Sequence, residues 1–192
     1  MIITRISAVE NKMLYRMNYE KAIEVIVWLA NKNPGIDIYH VAKILYHAEK
    51  THLNRYGRPI IGATYIRMDF GQVPSEIRDL INKNAWMVEP DYLKRFSAAI
   101  KINKAPHDKL NSLRDADIGY FSDTDIECLE ESLNKHGNLP FEQLKKISHE
   151  ERSWIDTEQN EKIDYLLMVD EDNENKQEII EDIRTYSQYA IF

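Results

Sequence analysis

Residues 18–32 read NYEKAIEVIVWLANK, and the spacing within them decides the fold class. Tyr19, Ala22, Ile23, Ile26, Leu29 and Ala30 recur at helical intervals, while Val25, Val27 and Trp28 widen the apolar surface beyond a single stripe. Only Glu24 interrupts the run from Ala22 to Ala30. A helix that is apolar on most sides must be covered on most sides, so these residues predict a central helix. Asn33-Pro34-Gly35 ends it. A second helix, from about Asp37 to Asn54, carries Val41, Leu45, Ala48 and His52 down one side with Ile44 beside them, which predicts two antiparallel helices joined by a short loop.

Working outward, TYIRMDFG at 64–71 alternates Tyr65, Arg67 and Asp69 against Ile66, Met68 and Phe70, the two-residue period of a strand with one wet face. A short helix is predicted at 74–83, with Pro74 in its first turn. FSAAIKI at 96–102 reads as a second strand and 103–117 as mostly loop. Ser122 with Asp125 three residues on, apolar Ile126, Leu129 and Leu133, and Gly137 past the end mark a capped helix. Pro140 opens another with Phe141, Leu144 and Ile147 inside, and Ser148 with Glu151 reads as a capping box that starts the helix bearing Trp154. The expected fold is mostly α (α+β): a compact helical domain with a small antiparallel β-sheet, built from five or six helices and two or three short strands.

The chain of 192 residues is 43% hydrophobic and 30% charged, enough for one domain that needs no staple. A single cysteine makes no internal disulfide, the opening MIITRISAVENK has no apolar run behind a basic head, and no stretch has a membrane span's length, so a cytoplasmic, membrane-free protein is expected. The net charge of −7 is concentrated late: residues 150–192 hold 13 acidic against 4 basic side chains. That balance disfavours direct nucleic-acid binding.

Chemistry-bearing motifs are weak throughout. GRPIIGAT at 57–64 has the glycine spacing of a phosphate loop but Ala63 where its lysine belongs, and it follows a helix instead of a strand. A tight helix-to-strand connection shaped by Gly57, Pro59 and Gly62 is the reading preferred. On one helix His40 and His47 lie ~10.5 Å apart along the axis and His47 and His52 point ~140° apart, so solvated or half-buried histidines are expected, not a metal site. Cys128 sits among Glu127, Glu130 and Glu131, whose charge suppresses a thiolate. No catalytic residue, cofactor or metal is expected.

Beyond these readings, residues 40–81, HVAKILYHAEKTHLNRYGRPIIGATYIRMDFGQVPSEIRDLI, resemble the Panacea domain family, known also from phage-associated and SocA-like proteins. The matching residues are Lys43-Ile44-Leu45-Tyr46, Ala48, His52, Arg55 to Ile60, Gly62, Thr64-Tyr65 and Gly71 to Ser75. FSDTDIECLE at 121–130, SHEERSW at 148–154 with His149 as the late histidine, and IDYLLM at 163–168 are similar too. Ile44-Leu45 stands where leucines predominate. The resemblance spans roughly 17–170, which makes 1–16 an extension. In the acidic remainder, 171–192, the spacing predicts an amphipathic helix from about Lys176 to Tyr189 with Ile179, Ile180, Ile183 and Tyr186 on one face, expected to dock on the domain.

The resemblance implies an antitoxin of a toxin–antitoxin system that neutralises a protein toxin, encoded by a neighbouring gene, through direct stoichiometric binding. It implies as the alternative a proteolytic adaptor, with a protease as further partner, or a phage-associated regulatory binding protein. Homo-oligomerisation stays open. On the sequence pattern, the wet strand face of Tyr65, Arg67 and Asp69, flanked by Arg58 and Arg78, is the expected partner patch, since Tyr and Arg are enriched in interface hot spots. A competing reading makes the same residues an Arg/Asp network that holds the GRPI turn.

Overall fold

Asn18 opens the first helix, α1 (Tyr19–Lys32), by accepting a hydrogen bond from the Lys21 amide, one of those a helix start leaves unpaired. In the computed structural model, which describes residues 12–104 and 108–187, every residue of α1 from Lys21 to Ala30 is buried, as the apolar run requires. Its two internal charges are answered within the protein. Lys21 Nζ lies 2.8 Å from Asp125, and Glu24 accepts from the Arg114 side chain and from the Asp117 amide.

A two-residue strand, β1 (Ile36–Asp37), leads into α2 (Ile38–Tyr56), capped by the Asp37 carboxylate on the His40 amide. GRPIIG then connects helix to strand as expected, entering the hairpin of β2 (Tyr65–Met68) and β3 (Gly71–Pro74) and then α3 (Ser75–Ile81). The stretch 96–102 departs from expectation. Pro90 starts a helix, α4 (Pro90–Ala99), that buries Phe96 and Ala99 at helical spacing, and only Ile100 begins the strand β4 (Ile100–Asn103). The expected loop after it contains β5 (Lys109–Ser112), which pairs with both β4 and β1. The fold is therefore mostly α with two small antiparallel sheets, β1-β5-β4 and β2-β3.

The Ser122–Asp125 capping box starts α5 (Asp123–His136), and α6 (Phe141–Glu150) follows Pro140. The second predicted box is absent. Ser148 stays inside α6, buried against the hairpin, and α7 (Arg152–Ile155) begins after Glu151 with no side-chain cap. Although α1 and α2 are consecutive, α2 packs chiefly on α5, while α1 packs on β5 and α4. The last helix, α8 (Lys176–Tyr186), lies against α2 with Ile179 and Ile183 buried, whereas Tyr186, expected on the same apolar face, is 53% exposed. Its expected end near Tyr189 lies outside the described residues. Of the expected extension, 1–11 also lies outside them, while Tyr15 is buried edge-on against Tyr165.

Candidate partner-binding surface

Four side chains of α2 at three-residue intervals, Lys43, Tyr46, Glu49 and His52, organise everything around them. Each step of three residues falls ~60° short of a full turn, so the row winds ~180° around the helix and each member meets a different segment. Lys43 Nζ donates to the Gln72 carbonyl in β3 at 2.9 Å. The Tyr46 hydroxyl lies 2.6 Å from Ser153 Oγ. Glu49 Oε1 accepts from the Ile61 and Gly62 amides at 2.7 and 3.0 Å, and Oε2 from the Tyr165 hydroxyl at 2.8 Å. His52 is bonded between the Arg58 carbonyl at 2.8 Å and Thr124 Oγ1 at 3.0 Å.

Burial shifts two of these groups toward neutrality from opposite sides. It pulls the Lys43 ammonium down to about 7 and pushes the Glu49 carboxyl up to about 7, the latter against the pull of its hydrogen bonds and of Lys21. Glycine is required at two of the contacts this row makes. Gly62 has a φ of +71°, and a Cβ there would meet Tyr15 Cβ at 2.9 Å. Gly71 has a φ of +106°, and a Cβ there would meet Lys43 Nζ and lie 2.6 Å from Ser148 Cβ.

The hairpin these contacts support does not divide into the predicted wet and dry faces, because Tyr65 is turned inward and Phe70 outward while Ile66, Arg67 and Met68 are all half-buried. Tyr65 is fully buried, 5.4 Å edge-on from Tyr46, the offset geometry that aromatic pairs prefer. Ile66 and Met68 are only half-buried and Phe70 is 52% exposed. The outer edge of β2 is covered as well, since Arg67 and Tyr65 exchange backbone hydrogen bonds with residues 160–163.

The five residues expected at a partner patch are thus dispersed. Arg58 reaches Asp125 at 3.2 Å and donates to the Pro59 carbonyl, both beside the GRPI turn. Tyr65 lies in the core. Arg67 lies 4.1 Å above the Trp154 ring, and Arg78 donates to Met68 Sδ at 3.6 Å. Asp69, exposed at the hairpin turn, accepts from Gln159 at 2.9 Å.

SHEERSW forms the clamp on that turn. Trp154 Nε1 donates to the Met68 carbonyl at 2.9 Å, His149 Nε2 donates to the Asp69 carbonyl at 3.0 Å, and the two rings stack 3.9 Å apart. Held in this way, the hairpin end presents Phe70, with Phe141 5.3 Å away, Tyr39 4.5 Å beyond Phe141, and Lys145 5.4 Å over the Phe70 ring. A cleft of about 500 Å³ opens beside it, lined by Asp37, Ile38, Tyr39, His40, Asp108 and Phe141. A second exposed apolar surface lies on the loop at 82–89, where Trp86 and Met87 face solvent.

The groups that tempt a catalytic or metal reading are engaged or inert. His47 and His52 are buried rather than solvated: His47 stacks 4.2 Å from His136, and burial lowers the pKa of both. His40 is held 2.9 Å from Asp37, which raises its pKa. Burial pushes the Cys128 thiol up to about 11, with Glu127 and Glu131 adding to it and Arg55 opposing. Among the described residues no group of three or more His, Cys, Asp or Glu side chains is arranged to hold a metal ion, and no helix is long and apolar enough to cross a membrane.

Sequence reasoning missed Glu49 and the exposure of Trp86 on its loop. The signal for Glu49 was its place in the three-residue row with Lys43, Tyr46 and His52, on a helix side otherwise apolar. Compared with models of protein families, residues 41–155 match the antitoxin SocA-like, Panacea domain. No curated protein and no solved structure gives a match.

Proposed function

This chain belongs to the antitoxin SocA-like family with the Panacea domain, and on that premise we propose that it neutralises a co-encoded protein toxin by direct stoichiometric binding, without turnover. The observation that carries the reading is the family match itself, which runs from α2 through α7 and so includes the row on α2, the hairpin and the clamp that holds it. The chemistry-bearing groups support it, because they are spent on architecture: Lys43, Glu49 and His52 each hold a backbone segment, and the Cys128 thiol is kept protonated. Masking a toxin requires only a stable surface with well-placed anchors. The proposed site of action is the cytoplasm.

Co-expression tests this. The neighbouring gene should arrest growth alone and be harmless when this chain is made in equal amount. A neighbour that is harmless alone, or that stays toxic at equal amounts, defeats the proposal. The adaptor reading draws on a separate observation: among the described residues, exposed apolar side chains stand at several places, including Phe70, Trp86, Leu113 and Ile155, where neutralisation by masking needs one surface. Under that reading the toxin's half-life in cells should shorten when this chain is present, and lengthen again when cellular proteases are removed.

A further inference from the structure

The loop at 82–89 leaves Trp86 97% exposed and Met87 65% exposed. A tryptophan in water forgoes the burial of one of the largest apolar areas any side chain offers. The loop that holds it there is well built. The Asn84 amide donates to the Asp79 carbonyl at 2.9 Å, its side-chain amide to the Asp79 carboxylate at 3.3 Å, and its carbonyl accepts from the Met87 and Val88 amides at 3.0 Å each. Lys83 takes a left-handed φ of +54° to make the turn, and Val88 roots the loop in the core.

Beside this loop opens a cleft of about 590 Å³ bordered by Met87 and by Tyr19 and Tyr92, whose rings stack 4.7 Å apart at 12°. Glu20, Glu76 and Glu89 line it against Arg16 and Lys162. Glu20 is paired with Arg95 at 2.9 Å and Glu76 accepts from the Thr64 amide and the Ser75 hydroxyl, which leaves Glu89 as the lining carboxylate open to a partner cation, and, after burial, Glu76, Asp79 and Glu89 together push the Tyr19 hydroxyl pKa up.

We propose that this face, Trp86 with Met87 and the Tyr19–Tyr92 cleft, is where the chain docks on its protein partner, and that the partner segment seated there is basic. Trp86 enters an apolar recess of the partner while lysine or arginine side chains enter the carboxylate-lined cleft and lie over the tyrosine rings, an arrangement that combines a hot-spot anchor with cation–π and charge complementarity. A second copy of this chain fits poorly, because it brings the same carboxylates to the same place. The inference rests on the antitoxin reading, since it names the surface that reading needs.

The test measures binding of the purified full chain to the purified product of the adjacent gene. Trp86→Ala should weaken the complex roughly 30-fold or more with an unchanged thermal midpoint. Glu89→Lys should slow association and flatten its dependence on salt. Phe70→Ala, at the hairpin end, is the comparator and should leave the affinity unchanged. Tight binding by the unaltered chain together with no loss in Trp86→Ala overturns this face alone, and a loss confined to Phe70→Ala moves the contact to the hairpin end. No binding by the unaltered chain removes the antitoxin reading, and this assignment with it.

Discussion

The hairpin at 65–74 and the loop at 82–89 each carry a large apolar side chain into solvent, but they are held in opposite ways. The hairpin is gripped from three directions: by Lys43 of α2 at its second strand, by His149 and Trp154 at its turn, and by residues 160–163 along its outer edge. The loop is tied mainly to its own base, through Asn84 and Asp79, and rooted by Val88. The residues that carry the family resemblance are concentrated in the first arrangement, where they serve the architecture. Trp86 falls within the matched residues 41–155 but outside every one of those motifs, and its side chain is 97% exposed among the described residues. On the assignment proposed above, the motif residues and the partner contact sit in different places, and the two regions should respond differently to substitution.

The largest effect is expected at the centre of the gripped region. Glu49→Ala strips the Ile61 and Gly62 amides of their acceptor in a buried site and should cost about 3–5 kcal/mol in urea unfolding. A loss under 1 kcal/mol would show that the GRPIIG loop is held without it. Gly71→Ala comes next, at about 2–3 kcal/mol, because its Cβ would collide with Lys43 and Ser148 at a φ that side chains avoid. Near-native stability of that variant would mean that Lys43 can leave the hairpin freely, and the contrast with the loop would weaken.

A pH series sharpens the comparison further. Lys43 titrates near 7 in the folded chain, below its ordinary 10.5, so between those values the unfolded chain holds more protons. Stability should therefore rise with pH across 7 to 10.5, by up to about 1.4 kcal/mol per pH unit, with the full penalty present below pH 7. Glu49 has the opposite sign. Raised to about 7 from 4.5, it makes stability fall as pH climbs through 4.5 to 7. Lys43→Met should flatten the alkaline limb and Glu49→Gln the acid-side fall, read from urea midpoints. Burial holds His47 and His136 below their ordinary 6.5, so they take stability away as pH drops below that value. The difference between the parent chain and Glu49→Gln isolates the carboxylate from them.

The smallest effect on stability belongs to the loop. Trp86→Ala should change the unfolding free energy by no more than about 0.5 kcal/mol, as an exposed side chain with no role in the core. A larger loss would show that the indole supports its own loop, and the two regions would then be alike.

The sequence by itself determined the elements whose causes are local. Period and capping are written in neighbouring residues, so the buried α1, the Ser122 box that starts α5 and the glycine-shaped GRPIIG connection were all legible before any coordinates. The tertiary structure alone decided what depends on residues far away in the chain. Alternation in 64–71 marks a strand, but the covering of Tyr65 by Tyr46 and of Arg67 by Trp154 comes from residues 19 and 87 positions away. FSAAIKI is compatible with strand or helix, and the burial of Phe96 and Ala99 chose helix as far as Ala99. The place of Glu49 on a helix side otherwise apolar marks it as unusual, but its partners, the Ile61 and Gly62 amides, are fixed only when that connection folds over it. Trp86 reads as one more apolar residue until the core closes without it, because exposure is a property of the finished surface and leaves no mark on local spacing.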